Sequence, residues 1–411
     1  MPLGIMIRKI TDNSFNFILI QIIGLWTGWF LGIERVAVPL ISGQSFGVTS
    51  YIYILSFISA FGISKSISNG IVGRLSDKGG RKKYILLGWI IGTPVPFIFL
   101  FSTSWLDIVV LNFVIGASQA FTWTMAITAT VDLSKKEYRG LSVGINEAIG
   151  YIGEGTAAFI TAYLSTIVGL KLSIFLFSLS TVLVSLLVVK FLVKDTRTLA
   201  YHEEYGSNEI ELSDNTAQKY CKQQRINYAI ISQSGFFEKF GDVLMWGLFP
   251  IMLFTRGYGI VEISIFVAIY QFLWGIPQIF TGNLSDRFGR GDIIFSGMII
   301  LSVSLIIPFY SINFWWILLC SCLAGIGMSL LYPTLIAASN DISRPTHRGK
   351  SMGGYRFWRD LGYALGGVLI GYIALIYGIR GAFFIVAIII FISSLVFISF
   401  FKTVNNETAL K

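Results

Sequence analysis

Eleven ionisable side chains stand deep inside long apolar runs of this 411-residue sequence. Six are acids, Glu34, Glu147, Glu154, Glu238, Asp242 and Asp360; five are bases, Arg35, Lys65, Lys239, Arg356 and Arg359. A charge at the centre of an apolar layer costs about 2.5–3.5 kcal/mol on insertion scales, so each must find an opposite charge or a wet cavity. Spacing gives them shared helix faces. Glu147 and Glu154 are seven apart, Glu238 and Asp242 four apart, and Arg356, Arg359 and Asp360 fall within one turn. Two kinds of chemistry suit such a set: holding the charged part of a solute, and exchanging protons at a carboxylate kept out of water. Fixing helix rotation through ion pairs is the plainer use and accounts for some of them, but eleven in one compartment exceed what packing requires. Covalent catalysis is not expected, because His202 and His347 sit in polar loops and no nucleophile–base or metal constellation appears. Cys320 and Cys322, two apart, point to different helix faces and suit packing, while Cys221 lies in a polar stretch.

The elements that must position these charges are helices in lipid. The chain is 54% hydrophobic and 13% charged, with a mean hydropathy of +0.72. Soluble domains carry about 25% charged residues. Apolar runs cover roughly 15–41, 50–73, 84–102, 107–132, 142–166 and 170–193, then 227–255, 262–283, 293–310, 314–340, 351–377 and 380–401. Each approaches the ~20 residues that cross a bilayer core. Six plus six is an even number, so both ends lie on one side. The net charge of +9 gathers in alternate loops rather than on one face, which argues against nucleic acid as a partner. The loops at 74–83, 133–141, 284–292 and 341–350 and the polar stretch 194–226 are rich in Lys and Arg; the opposite loops offer only Lys171, Arg256 and Arg380. Positive loops mark the cytoplasmic side, so both termini are expected there, in the cell membrane. The organisation predicted is a bundle at 1–193, a cytoplasmic linker at 194–226 and a second bundle at 227–411.

The chain also repeats itself. Gly73-Arg74-Leu75-Ser76-Asp77-Lys78-Gly79-Gly80-Arg81 returns 209 positions later as Gly282-Asn283-Leu284-Ser285-Asp286-Arg287-Phe288-Gly289-Arg290. The same offset relates Gly116 to Gly325, Asp132 to Asp341, Arg139-Gly140 to Arg348-Gly349 and Gly144 to Gly353. A gapless register of this length is an internal duplication. The turn resembles the signature loop of the major facilitator superfamily of secondary transporters, and it stands after helices 2 and 8, where that family places it. Two other family marks differ: helix 4 carries Asn112 where an arginine is usual, and Gly150-Tyr151-Ile152-Gly153-Glu154-Gly155 on helix 5 lacks the proline of the drug-antiporter branch.

The resemblance implies an all-α integral membrane fold of twelve transmembrane helices in two pseudo-symmetric six-helix bundles, with a site between them. Helices 1, 4, 7 and 10 would line the cavity, 2, 5, 8 and 11 would flank it, and 3, 6, 9 and 12 would face lipid. It implies a cytoplasmic latch built from Gly73, Asp77, Gly80, Arg81 and Asp132, and from Gly282, Asp286, Gly289, Arg290 and Asp341. In that latch Asp77 would meet the start of helix 11 and Arg81 would pair with Asp132; plain positive-inside topology is the simpler use of the same charges. Aromatics at similar depth, among them Tyr151, Trp246, Tyr270, Trp274, Tyr332, Tyr355 and Trp358, with Trp26 and Trp29 on helix 1, offer material for a substrate pocket. Gly24, Gly28 and Gly32 form a small-residue stripe on helix 1 for close packing.

The function expected is secondary active transport of a small organic solute by alternating access, drawing on a proton gradient and on no cofactor. The chain is expected to work as a monomer. Nothing matches a G-x-x-x-x-G-K-[ST] phosphate loop. The bases suit an organic anion and the acids equally suit proton-coupled export of an amphipathic cation. A non-transporting sensor on a carrier scaffold is the alternative from another class. Helical rise places Lys65 about 12 Å above Gly73 and Asp360 about 16–17 Å above Gly349. Those heights point to a Lys65–Asp360 pair between helices 2 and 11, with Arg356–Asp360 along one helix as the competitor. The orientation has a direct test. Cysteines at Ser45 and Ser311 should label from outside the cell and Cys221 only after permeabilisation; the reverse pattern refutes it.

Overall fold

The computed structural model describes residues 3–135, 138–196, 214–342 and 348–401. Among these no strand occurs. After a short leading helix, Leu3–Ile10, the first six rods are α1 (Ser14–Gln44), α2 (Tyr51–Gly79), α3 (Arg81–Phe101), α4 (Trp105–Asp132), α5 (Arg139–Val168) and α6 (Leu170–Phe191). The second six are α7 (214–254), α8 (260–288), α9 (Arg290–Tyr310), α10 (Phe314–Asp341), α11 (348–377) and α12 (379–400). Nine described stretches are long and apolar enough to cross a membrane, and one of them, Gly353–Phe400, holds both α11 and α12. α5 and α7 fall short of that measure; they are the two rods that carry Glu147 and Glu154, and Glu238, Lys239 and Asp242. α7 begins at Asp214, inside the stretch read from sequence as the 194–226 linker, of which residues 197–213 lie outside those described.

The duplication is written into the backbone. α2 turns into α3 at Gly80 (φ 80°), α8 runs into α9 at Gly289 (φ 95°), α5 into α6 at Gly169 (φ 83°), and α11 into α12 at Gly378 (φ 73°). Each pair is 209 residues apart. These reversals need left-handed backbone, which costs glycine little and any other residue more, so helix can follow helix with almost no loop. The caps repeat as well. Ser104 and Asp107 form a capping box at the start of α4, and at the matching start of α10 Asn313 accepts a hydrogen bond from Trp316 N at 3.0 Å.

Glycine also sets which rods touch. On α1, Gly24 lies against Asn146, Gly28 against the Gly150 carbonyl and Gly32 against Glu154, so α1 and α5 meet backbone to backbone. Gly116 of α4 packs on Phe61 and Ser64 of α2, and Gly325 of α10 packs on Tyr270 and Leu273 of α8, the same contact one repeat later. Between the halves, Gly62, Gly367 and Gly371 draw α2 onto α11, and Gly144, Gly155 and Gly275 draw α5 onto α8. Without a hydrophobic driving force between helices in lipid, such close small-residue contacts carry the association.

Apolar side chains point outward over much of the surface. Leu187 of α6, Ile392 of α12 and Leu375 of α11 are each more than half exposed. In water such a surface would aggregate; against acyl chains it is the expected finish.

The α1–α5 contact yields a test. A Cβ at Gly28 would overlap the Gly150 carbonyl. Overpacking of this kind costs about 1–3 kcal/mol. Gly28→Val should therefore lower the melting temperature of the purified protein by several degrees, whereas Gly70→Ala, in open space, should leave it within a degree or two.

Candidate functional site

The helical pattern of α1 is interrupted at Ile33, and the residues that follow are Glu34 and Arg35. The glycine stripe before it lets α5 approach, which carries Glu154 to Arg35. Arg35 Nη2 lies 2.7 Å from Glu154 Oε2, and Nε donates to the same oxygen at 2.9 Å. From the other half, Asp242 of α7 takes Arg35 Nη1 at 2.8 Å and Nη2 at 3.4 Å. All three side chains are at most 1% exposed. Asp242 also accepts Tyr270 Oη at 3.0 Å and Tyr363 Oη, while the Trp246 ring lies under the guanidinium at 4.6 Å. The residues after Asp242, Leu244–Leu248, form a π-turn, a local widening that sets the angle at which α7 offers this carboxylate.

A second group sits one turn earlier on α7. Glu238 receives Arg359 Nη2 of α11 at 3.0 Å and Lys239 Nζ at 3.3 Å. Arg359 stacks over Tyr332 at 4.0 Å, and Lys239 lies over Trp274 at 4.6 Å and Tyr363 at 4.9 Å. Aromatic faces and a shared acid thus hold two cations together away from water.

The remaining charges take neutral partners. Glu147 accepts Trp123 Nε1 at 3.1 Å and Tyr332 Oη, across the halves, at 2.8 Å. Arg356 Nη1 donates to Thr124 Oγ1 at 2.7 Å. Glu34 has the Asn112 amide at 3.4 Å, and its other oxygen has no hydrogen-bond partner among the described residues. Asn112 thus stands beside an acid in the place where the resemblance leads one to look for an arginine.

The expected Lys65–Asp360 pair is not what forms. Asp360 does bridge to α2, but through Asn69 Nδ2 at 2.6 Å, with Arg359 Nη1 at 3.7 Å. Lys65 Nζ lies over the Phe61 and Trp123 rings, at 5.0 and 5.8 Å, and no described carboxylate comes within 4.0 Å of it. Nor does Arg356 pair with Asp360 along α11. The estimate by helical rise set height but not partner: Asn69, one turn nearer the signature turn on the same face, is the group that reaches.

These side chains surround a cavity between the halves. It spans roughly 420 Å³ with its mouth, yet leaves only about 20 Å³ for the centres of water molecules, room for about one. The seam around it is uneven. Gly62, Gly367 and Gly371 hold α2 and α11 in contact on one side. Towards the signature turns, Gly73, three turns from Gly62, and Gly353, four turns from Gly367, have nothing within 4 Å among the described residues.

At that end Arg81 Nε lies 3.0 Å from Asp132 Oδ2, and Arg290 Nε lies 3.0 Å from Asp341 Oδ2, with Asp286 2.6 Å from Arg290. The first pair is tied to the start of the linker: Thr196 Oγ1 donates to Asp132 at 3.0 Å, and Asp195 accepts Lys82 N beside Gly80. The side chain of Asp77 and those of 348–352, which the resemblance would join, lie outside those described.

Sequence reasoning missed Asn69, Thr124, Trp123 and Tyr363 as members of the site. Tyr363 carried a signal. It is the repeat mate of Glu154, and the two converge on one cluster from opposite halves. Of the aromatics singled out, Tyr151 and Tyr332 line the cavity, Trp246 and Trp274 sit under cations, and Trp358 faces outward.

Comparison with known proteins agrees with this architecture. The sequence profile of the Major Facilitator Superfamily matches residues 20–237 and 231–410. An uncharacterized MFS-type transporter of Methanocaldococcus jannaschii is 24% identical over 358 residues, covering 86% of this chain and 90% of its own. Multidrug resistance protein 2 of Bacillus subtilis is 25% identical over 327 residues, 76% of this chain and 78% of its own. Among solved structures, a point mutant of the nucleoside transporter NupG superposes with a TM-score of 0.73 over 94% of this chain and all of its own, at 14% identity, a likeness of fold alone. With the profile spanning both halves, the chain belongs to the major facilitator superfamily: it is a multi-pass membrane protein and a secondary transporter, not an enzyme.

Proposed function

We propose that this transporter moves a small organic solute by alternating access and draws on a proton gradient, with Glu154 as the coupling acid. The observation that supports it is the sharing of Arg35 between Glu154 of its own half and Asp242 of the other. Two carboxylates answer one guanidinium. A proton on Glu154 removes the charge that ties α1 to α5 and leaves Arg35 held by Asp242 alone. Loss of that proton restores the three-way cluster. Binding of a proton thereby changes which helices the central charge holds together, and that is what coupling requires of it. The relative named a multidrug resistance protein makes drug export the competing use of the same cluster.

The reading includes an orientation and a gate. Both termini and the signature turns lie in the cytoplasm, at the cell membrane; Asp77, meeting the start of α11, and Asp286 by the repeat latch the halves when the carrier faces outward, while Arg81–Asp132 and Arg290–Asp341 brace each turn within its own half. The chain works as a monomer around a small-molecule site.

Two experiments test it. Glu154→Gln should abolish pH-driven accumulation in proteoliposomes while sparing solute exchange; full gradient-driven uptake in that variant would move the coupling to Glu147 or Asp242. For the gate, the double variant Asp77→Asn with Asp286→Asn should lower transport more than substrate binding. Unchanged transport sinks the latch.

A further inference from the structure

Two cations in the central cavity have no carboxylate at ion-pair distance among the described residues, although Asp360 and Glu154 act on one of them, Lys65, from farther off. Glu34 stands apart with Asn112, so the cavity region has five acids and five bases. Arg35, Lys239 and Arg359 each have a carboxylate oxygen within 4.0 Å; among the described residues Lys65 and Arg356 have none. Both line the cavity. Arg356 is 8% exposed, spends Nη1 on Thr124, and its Nε is buried without an acceptor. Lys65 has only ring faces at 5.0 and 5.8 Å. Glu147 is within electrostatic reach of Arg356, but Trp123 and Tyr332 already occupy its oxygens.

We propose that the cavity, once rocking of the halves widens it beyond a single water, binds a small organic anion, its carboxylate held between Lys65 and Arg356 and a planar apolar body laid against Trp123 and Tyr151. The transport role of this site rests on the carrier reading above; the charge preference does not. A guanidinium with a free Nε offers a fork that fits a carboxylate, and an ammonium adds a point charge beside it. Of the acids on the cavity wall, Glu154 is held by Arg35, and Asp360 gives Oδ2 to Asn69 while its Oδ1 has only Arg359 at 3.7 Å and no hydrogen bond. Glu238 and Asp242 stand behind that wall. The wall itself thus presents five bases, Arg35, Lys65, Lys239, Arg356 and Arg359, and two acids, Glu154 and Asp360, an excess that an anion answers and a cation does not.

The test needs no knowledge of the natural solute. In the purified full-length protein with Cys221→Ser, Cys320→Ala and Cys322→Ala, a Leu31→Cys reporter on the cavity wall is reacted in detergent with two methanethiosulfonates of similar size. One carries an anionic sulfonatoethyl group and the other a cationic trimethylammonioethyl group, and each rate is normalised to that with free glutathione. The anionic reagent should react at least tenfold faster, and benzoate, but not benzamidine, should slow it. Lys65→Gln and Arg356→Gln should each cut the preference several-fold, and Arg356→Lys should restore most of it. Thr124→Cys replaces the reporter if Leu31→Cys fails to fold. Equal or faster reaction with the cation, reaction with neither, or a preference untouched by both glutamine variants overturns the site. Counterflow in proteoliposomes separates the two readings. Absence of any solute flux with the anion preference intact removes the carrier reading only; flux of a cation that benzoate does not inhibit removes the anion reading only.

Discussion

A buried guanidinium that spends its donors on two acids from opposite halves is the constraint on which the rest of this structure depends. Arg35 has almost no contact with solvent, and neither do Glu154 and Asp242. Leaving any one of them alone in such a place costs several kcal/mol, roughly 3–5 when one partner of a buried pair is removed. The helices must therefore be arranged so that all three arrive together. Arg35 follows the interruption of α1 at Ile33, the glycine stripe before it admits the backbone of Glu154, and Asp242 stands just ahead of the π-turn of α7. Tyr270 and Tyr363 take the acceptor capacity of Asp242 that Arg35 leaves over.

Around that cluster the halves touch through glycine faces rather than interlocking side chains. α2 lies on α11, and α5 on α8, with backbone against backbone. Smooth contacts of this kind resist separation but offer little resistance to tilting. Polar ties between the halves, at Arg35–Asp242, Tyr332–Glu147, Arg356–Thr124 and Asn69–Asp360, gather around the cavity over about two helical turns. The bundle thus has a charged waist and low-friction flanks, the mechanical form that rocking around a fixed site asks for.

Much of this was legible in the residue string. Twelve runs, their pairing at an offset of 209 and the small-residue stripe of α1 follow from periodicity, composition and repetition, because those properties are local or additive. The pairing of charges is neither. Height alone pairs Lys65 with Asp360, on the assumption that Gly73 and Gly349 stand level, whereas Asn69, one turn nearer the signature turn, is the group that reaches Asp360. Rings were equally hard to place. Trp123 and Tyr363 matter because of where α4 and α11 cross their neighbours, which no count along one helix reports. The repeat offset could have flagged Tyr363, since its mate Glu154 was already in view.

The two halves carry the same turn with different exposure. Arg81 and Asp132 are each about 12% exposed and joined to the linker by Thr196, while Asp341 and Asp286, the partners of Arg290, are more than half exposed. Ions in solution screen exposed charges over about 8 Å at physiological strength and reach sheltered pairs much less. An exposed pair is worth about 0–1 kcal/mol to begin with. Ionic strength therefore acts on this duplicated device unequally. The second copy slackens as salt rises and the first keeps its hold, so a symmetric inheritance has become a graded, salt-dependent response confined to one half.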